Sequence, residues 1–288
     1  MLNQARISFM KPDIPDLRKK GYSMYDMHSH TKYSDGRRTV PQMMEHARKL
    51  GIGLAITDHN EVKGAIAACR NNLGIRIIPG TELTTGEGAH ILFYFYDPKE
   101  LEEYFNKYVL NYREKKCFVA FLKKDAETLV DEARQYNCVI SAAHPYAISW
   151  TGLMKHINDD LNKRILKKID AIEVINGSST KYMNKKAANL AIETEKCITG
   201  GSDAHLKSEL GGVVSYVKEQ SSSQEFLDSI LKKKNYVVGK QGPIIRKTAS
   251  HCLKINTSGH MSKMAYIGRH IKFVREMRRA KRLNKARK

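Results

Sequence analysis

Short apolar runs alternate with longer amphipathic segments through most of the chain, and this order restricts the fold more than any other feature. The runs are Tyr25–Met27, Leu54–Thr57, Ile75–Ile78, Ile91–Tyr96, Val139–Ala142, Ala171–Ile175, Cys197–Thr199 and Val213–Val217. They are short and rich in Ile and Val, as strands buried on both faces are. Between most of them lie segments of helical character: Pro41–Leu50, Asp125–Tyr136, Lys181–Glu195 and Ser223–Lys233. The first has Thr39 and Pro41 as start signals and Gly51 as a stop. Repeated strand-then-helix order predicts an α/β fold with a parallel sheet, open or closed. Eight candidate strands favour a barrel, and a barrel of roughly 250 residues counts as one domain. The 41% hydrophobic content is enough for a large core. No internal repeat is visible. Pro98–Lys124 is long and charged and reads as an insertion or lid between strands.

The chemistry-bearing residues fall just after the runs. His28-Ser29-His30 and Ser34-Asp35-Gly36 follow the first, and Asp58-His59-Asn60 the second. Gly80-Thr81-Glu82 follows the third, His144-Pro145 the fifth, and Ser202-Asp203-Ala204-His205 the seventh. In a parallel β/α barrel all strand ends point to one face, where catalytic groups gather. His90 is the exception, because it precedes its run. Imidazole nitrogens and carboxylate oxygens together suit Zn, Mn or Fe. An H-x-H pair on an extended segment places both rings on one side, where one ion can take both. A turn at Asp35-Gly36 can bring that carboxylate back toward the strand end. One strand-end histidine alone is more often structural. Burying so many polar groups together without an ion would cost heavy desolvation.

The series His28-Ser-His30, Ser34-Asp35-Gly36, Thr57-Asp58-His59-Asn60, Gly80-Thr81-Glu82, His90-Ile91-Leu92, Ala143-His144-Pro145 and Gly201-Ser-Asp203-Ala-His205 resembles the PHP family, the polymerase and histidinol phosphatase domain. Within it the chain looks like the stand-alone metal-dependent phosphoesterases. The resemblance implies an α/β fold, a distorted, TIM-like (β/α)7 barrel, one strand fewer than the runs counted above. It divides the chain into an N-terminal arm (1–21), a metallophosphoesterase barrel (22–240) and a basic C-terminal tail (241–288). It implies two to three divalent ions, Mn, Zn or Fe. His28, His30, Glu82 and Asp203 would hold the first; Glu82 would bridge to a second, completed by His90 and His144; Asp35, His59 and His205 would hold the third. All nine positions carry an accepted ligand type. Asp58 is not a family ligand. It is expected either to orient a histidine or to cap the helix after Asn60. Asn176 is expected to face the pocket or serve a turn, and Glu173 to make a pair inside the barrel. Leu210-Gly211-Gly212 is also similar to these phosphoesterases. The implied reaction is hydrolysis of a phosphate ester by a metal-activated hydroxide.

Charge bears on the substrate. Fifty Lys and Arg against thirty Asp and Glu leave a net charge of +20. From Arg246 to Lys288 fourteen basic residues face one acid, Glu276, so thirteen of the surplus lie there and seven in the preceding 245 residues. Ile271, Val274, Met277 and Leu283 give this tail a thin apolar stripe at near-helical spacing. It reads as a solvated terminal helix or as a surface for phosphate backbones, with steep salt dependence in the second case. Such an excess points toward anionic partners, usually nucleic acid or phosphorylated ligands. Arg37, Arg38, Lys181 and Lys207 lie near the ligand loops and are candidate phosphate clamps, although a plain surface role is the commoner one. No apolar stretch approaches the roughly 20 residues of a membrane span. Met1–Lys11 lacks the apolar core of a secretory signal. The five cysteines form no C-x-x-C pair and read as buried thiols. A cytoplasmic protein is expected. Three functions remain: a phosphoesterase acting on nucleotides or oligonucleotides, a small-molecule phosphatase such as a histidinol-phosphate phosphatase, and a non-catalytic nucleic-acid-binding metalloprotein. Oligomeric state is left open.

Overall fold

The computed structural model describes residues 4–71, 73–113, 121–147, 151–155 and 159–241. The expected tail helix lies outside these residues, as do Cys117 and Cys252. The strands are β1 (Ile7–Ser8), β2 (Ser23–Asp26), β3 (Gly53–Ile56), β4 (Ile77–Thr84), β5 (His90–Phe95), β6 (Cys138–Ala142), β7 (Ala171–Asn176), β8 (Cys197–Gly201), β9 (Val213–Val217) and β10 (Tyr236–Gly239). The helices are α1 (Ile14–Lys19), α2 (Val40–Leu50), α3 (Lys63–Arg70), α4 (Pro98–Tyr104), α5 (Ala126–Ala133), α6 (Asp159–Lys168), α7 (Lys181–Glu193) and α8 (Ser223–Leu231). Their ends follow local chemistry. The Gln42 side chain accepts the Thr39 N–H at the start of α2, and Gly51 ends that helix with φ 76°. Asp125, Thr180 and Ser222 cap α5, α7 and α8 with their side-chain oxygens.

All ten strands form one sheet in the order β1-β10-β9-β2-β3-β4-β5-β6-β7-β8. The run from β2 to β8 curls into a seven-stranded ring. Its ends meet where Ser29 bridges Ala204 and the His30 N–H donates to the Ala204 carbonyl at 2.9 Å. The close approach needs glycine in β8, since a Cβ at Gly201 would stand 2.4 Å from His28 N. At the opposite end β9 is wedged between β2 and β8. It pairs antiparallel with β2, and Ser215 Oγ exchanges hydrogen bonds with Gly200 N and O. The seven strands β2–β8 match the number the resemblance implied, and the eighth apolar run, β9, continues the sheet beyond β2, so the α/β sheet curls as in a distorted TIM-like barrel.

The expectation of a wholly parallel sheet needs one correction. β4 pairs antiparallel with β5, and β5 with β6. The third strand is also longer than its apolar run: Pro79, Gly80, Thr81 and Glu82 lie within β4, not after it. Pro98–Tyr112 is no detached lid, because Leu101, Tyr104, Phe105 and Val109 are buried in the core. Residues 4–21 likewise contribute structure: β1 pairs with β10, and Ile7 and Ile14 are buried.

Strand alternation splits the apolar residues between two layers. Leu54, Ile56, Ile91, Phe93 and Ile172 face the helices; Tyr25, Ala55, Ile78, Leu92, Tyr94 and Val139 fill the barrel. Phe226, Leu227 and Ile230 of α8 join the inner set and plug the end where the strands begin, with the Tyr25 and Phe226 rings 4.2 Å apart. The interior turns polar toward the other end, so only that end is left for chemistry. No described helix is long and apolar enough to cross a membrane.

Candidate metal centre

Glu82 occupies the middle of the polar end. Period-two alternation along β4 puts it on the inner face with Ile78 and Gly80. Its Oε1 lies 2.9 Å from His90 Nδ1 and 3.1 Å from His144 Nε2. Its Oε2 lies 3.0 Å from His59 Nδ1, 3.2 Å from His28 Nε2 and 3.4 Å from His30 Nε2. His90 reaches this centre because β5 runs backwards. The hairpin register pairs it with Thr84, so the start of β5 lies beside the end of β4.

The remaining residues ring this carboxylate. Asp203 Oδ1 is 3.1 Å from His30 Nε2 and 3.6 Å from His205 Nδ1. Asp35 Oδ1 is 3.0 Å from His205 Nε2 and 3.7 Å from His59 Nε2. All nine residues singled out from the sequence thus form one connected cluster. Three groups of converging donor atoms lie within it: His30, Asp35, His59 and His205; His28, His30 and Asp203; His59, Glu82 and His90. His30 and His59 are each shared between groups, which the sequence-based partition did not foresee.

The surrounding residues fix the ligands' orientation. Glu173 Oε1 lies 2.9 Å from His28 Nδ1, which leaves His28 Nε2 for the cluster. Glu173 Oε2 accepts from the His144 N–H at 2.7 Å and from Asn176 Nδ2 at 3.0 Å. Asn176 also accepts from the Ser178 N–H, so it serves both pocket and turn. Asp58 caps no helix; Val62 precedes α3 instead. Nor do its described hydrogen bonds reach a histidine: it takes Thr31 N, Thr31 Oγ1 and Ser34 Oγ at 2.6–2.7 Å and pins the loop between His30 and Asp35. Asp26 was missed, although a carboxylate inside an apolar run was a visible signal. It is fully buried and accepts from Ser202 N and Oγ and from Gly211 N at 2.6–2.8 Å, tying the His28 strand to the Asp203 loop. His144 and Asp203 have φ of 25° and 52°, a conformation that costs a non-glycine residue about 1–3 kcal/mol and persists where the surroundings impose it. Arg37, Arg38, Lys181 and Lys207 are exposed.

The donor set fits divalent ions. His28 Nε2 and His30 Nε2 stand 3.1 Å apart with carboxylate oxygens on either side. Ligands on a tetrahedral ion with bonds near 2.0–2.1 Å lie about 3.3 Å from one another. His30 Nδ1, Glu82 Oε2, His144 Nδ1 and His205 Nε2 are buried without a hydrogen-bond partner, a costly state for a purely structural polar cluster.

Comparison with known proteins agrees. The PHP domain family model matches residues 26–283. The chain belongs to the PHP domain family. One curated relative is the 5'-3' exoribonuclease Rnm of Salmonella typhimurium, 40% identical over 67 residues. That match covers 22% of this chain and 23% of the exoribonuclease, so the chain spans about a quarter of that relative. An error-prone DNA polymerase of Mycobacterium bovis is 33% identical over 95 residues, 27% of this chain and 9% of the polymerase. Among solved structures, the lesion-specific endonuclease PfuEndoQ from Pyrococcus furiosus shares the fold with a TM-score of 0.61 at 20% identity, over 75% of this chain and 57% of that one. PsfC from Pseudomonas syringae does so with a TM-score of 0.57 at 17% identity, over 83% and 98%.

The electrostatics of the PHP cluster set its pH response. Burial alone would lower His28, but Glu82, Glu173 and Asp203 outweigh it and hold the ring well above its usual value. His144 is raised in the same way, against burial, by Glu82. Burial and neighbouring rings push His30 down to about 3, and burial takes His90 to about 4. Without metal, His28 and His144 therefore hold a proton more tightly than a free imidazole, so protons compete with the metal there, whereas His30 and His90 give theirs up more readily. Metal affinity and phosphoesterase activity should fall together as pH drops below neutral. Initial rates across pH at fixed free metal check this. A rate flat down to about pH 5, well under the roughly 6.5 of free histidine, would contradict it.

Proposed function

We propose that the protein hydrolyses phosphate esters of nucleotides or oligonucleotides, with two to three Mn, Zn or Fe ions held by the cluster, in the cytoplasm. The observation that carries the reading is Glu82, with imidazoles converging on both of its oxygens. His28, His30, Glu82 and Asp203 would hold one ion, Glu82, His90 and His144 a second, and Asp35, His59 and His205 a third. Such ions supply a water of lowered pKa and neutralise charge on the phosphate oxygens and leaving group. The chain's own part is positional. Glu173 sets the His28 ring, Asp58 holds the Asp35 loop, and Asp26 joins the His28 and Asp203 segments. The α8 plug closes the far end, so substrate and product share one mouth.

Two observations favour a nucleic-acid substrate over a small phosphate ester. The net charge of +20 suits a polyanion. The relatives act on or copy nucleic acids by name, as an exoribonuclease, a lesion-specific endonuclease and DNA polymerases. A structure of endonuclease Q holds a 27-mer duplex with an abasic lesion at its active site, and it shares the fold with a TM-score of 0.62. The test is a substrate panel with the Mn²⁺-loaded full chain: 5′-phosphorylated RNA and DNA oligonucleotides, nucleoside bisphosphates and histidinol phosphate. The proposal expects the highest kcat/KM on a nucleotide or oligonucleotide. Preference for histidinol phosphate would replace it with the small-molecule reading, and no hydrolysis of any member would leave a metalloprotein that only binds.

A further inference from the structure

A second feature stands where the loops after β6 and β7 meet. Tyr182, in the first turn of α7, is 66% exposed. Lys186 lies one turn further on, with Nζ 5.2 Å from the Tyr182 ring centroid and 5.2 Å from that of Tyr146. Tyr146 is two residues beyond His144, so their Cα atoms lie within about 7 Å. Tyr182 follows the loop in which Ser178 Oγ donates to the Asp203 carbonyl at 3.4 Å. One ammonium thus joins an aromatic ring beside the His144 loop to another beside the loop that holds Asp203. Lys181 and Lys185 are exposed on the same turns of α7. The half-buried Tyr146 packs against the core, whereas Tyr182 presents its ring to water.

We propose that Tyr182, steadied by Lys186 and Tyr146, is a stacking platform for a base of single-stranded nucleic acid whose phosphate enters the metal centre. The inference rests on the nuclease reading and adds to it a substrate form and a subsite. Every base has a π-face, so an exposed ring at the rim takes a strand without regard to sequence. A duplex keeps its bases stacked inside and offers such a ring nothing but backbone. Exposed Lys181, Lys185 and Lys186 on the same turns suit the phosphates that flank an unpaired base. The cation beside both rings fixes their relative placement before the strand arrives.

The test measures binding of the full, metal-loaded chain to three probes by fluorescence anisotropy. They are a 5′-phosphorylated single-stranded oligonucleotide, an abasic backbone of equal length, and the matching duplex. Tyr182→Ala should weaken binding of the base-bearing single strand by about tenfold, the scale of one stacked base. It should leave the abasic strand and the duplex unchanged, and Tyr182→Trp should restore the loss. Unchanged single-strand binding, or equal weakening of the abasic strand, would overturn the platform. Failure of the nuclease reading looks different: the unaltered chain would bind and cleave no oligonucleotide at all, and the platform would fall with it. An unaltered chain that binds and cleaves the single strand, beside a Tyr182→Ala variant that does so equally well, would remove the platform alone.

Discussion

Glu82→Gln should abolish most phosphoesterase activity, with kcat/KM falling by more than about 100-fold, beyond the 10–100-fold usual for a residue that only supports a ligand. The substitution keeps the volume of the side chain and removes its charge. Imidazole nitrogens of five histidines lie within 3.4 Å of its two oxygens. Burial opposes ionisation of this carboxyl, yet His90, His28 and His59 hold it well below its usual value. It is therefore charged near neutral pH, and a neutral amide cannot serve two ions at once. Asp35→Asn, which touches one edge of the cluster, should cost less activity and less metal. Circular dichroism and thermal melting verify folding of both variants. Near-normal turnover of a folded Glu82→Gln protein would show that the bridge is assigned to the wrong residue.

Removing the charge of the C-terminal tail should weaken oligonucleotide binding by on the order of ten- to a hundredfold near 0.1 M salt. The segment from Arg246 to Lys288 holds fourteen of the fifty basic residues, while every proposed ligand precedes Leu206. Each phosphate neutralised on a single strand adds about 0.7 to the slope of log K against log salt, so the slope should flatten as well. Turnover of a mononucleotide should change little. Truncation before Arg246 is the simplest variant. It also removes apolar residues such as Leu253 and Ile255, so circular dichroism and thermal melting check that the rest still folds. A full-length protein with Arg278→Gln, Arg279→Gln, Lys281→Gln and Arg282→Gln therefore provides the second test. A folded variant with unaltered affinity and salt slope would make the tail a solvated extension. The preference for a nucleic-acid substrate would then rest on the relatives alone.

Much of the cluster was legible in the sequence because His28, His30, His59, His144, Asp203 and His205 follow apolar runs, where strand geometry brings side chains to one end of the sheet. The direction of β5 was not, since an apolar run reads the same in either direction. His90 therefore looked misplaced, although the hairpin carried its own signal. Thr85-Gly86-Glu87-Gly88-Ala89 joins two apolar runs; Thr85 N–H donates to the Ala89 carbonyl, and Gly88 has φ 100°. The roles of Asp26, Asp58 and Glu173 depend on contacts across as many as 185 residues of sequence, as between Asp26 and Gly211. No local pattern encodes those contacts. β1 and β10 were missed for a related reason: each is short, and they pair with one another from far apart in the chain, as Ile7 does with Val237.

The central claim is that one carboxylate and its histidines hold several ions in a single hydrolytic centre. Elemental analysis of the purified chain after reconstitution with Mn²⁺ or Zn²⁺ tests it most directly, with ions per chain and phosphoesterase rate measured on the same samples. The account predicts two to three ions per chain, with activity that rises with occupancy and disappears on chelation. One ion or none at full activity would contradict it.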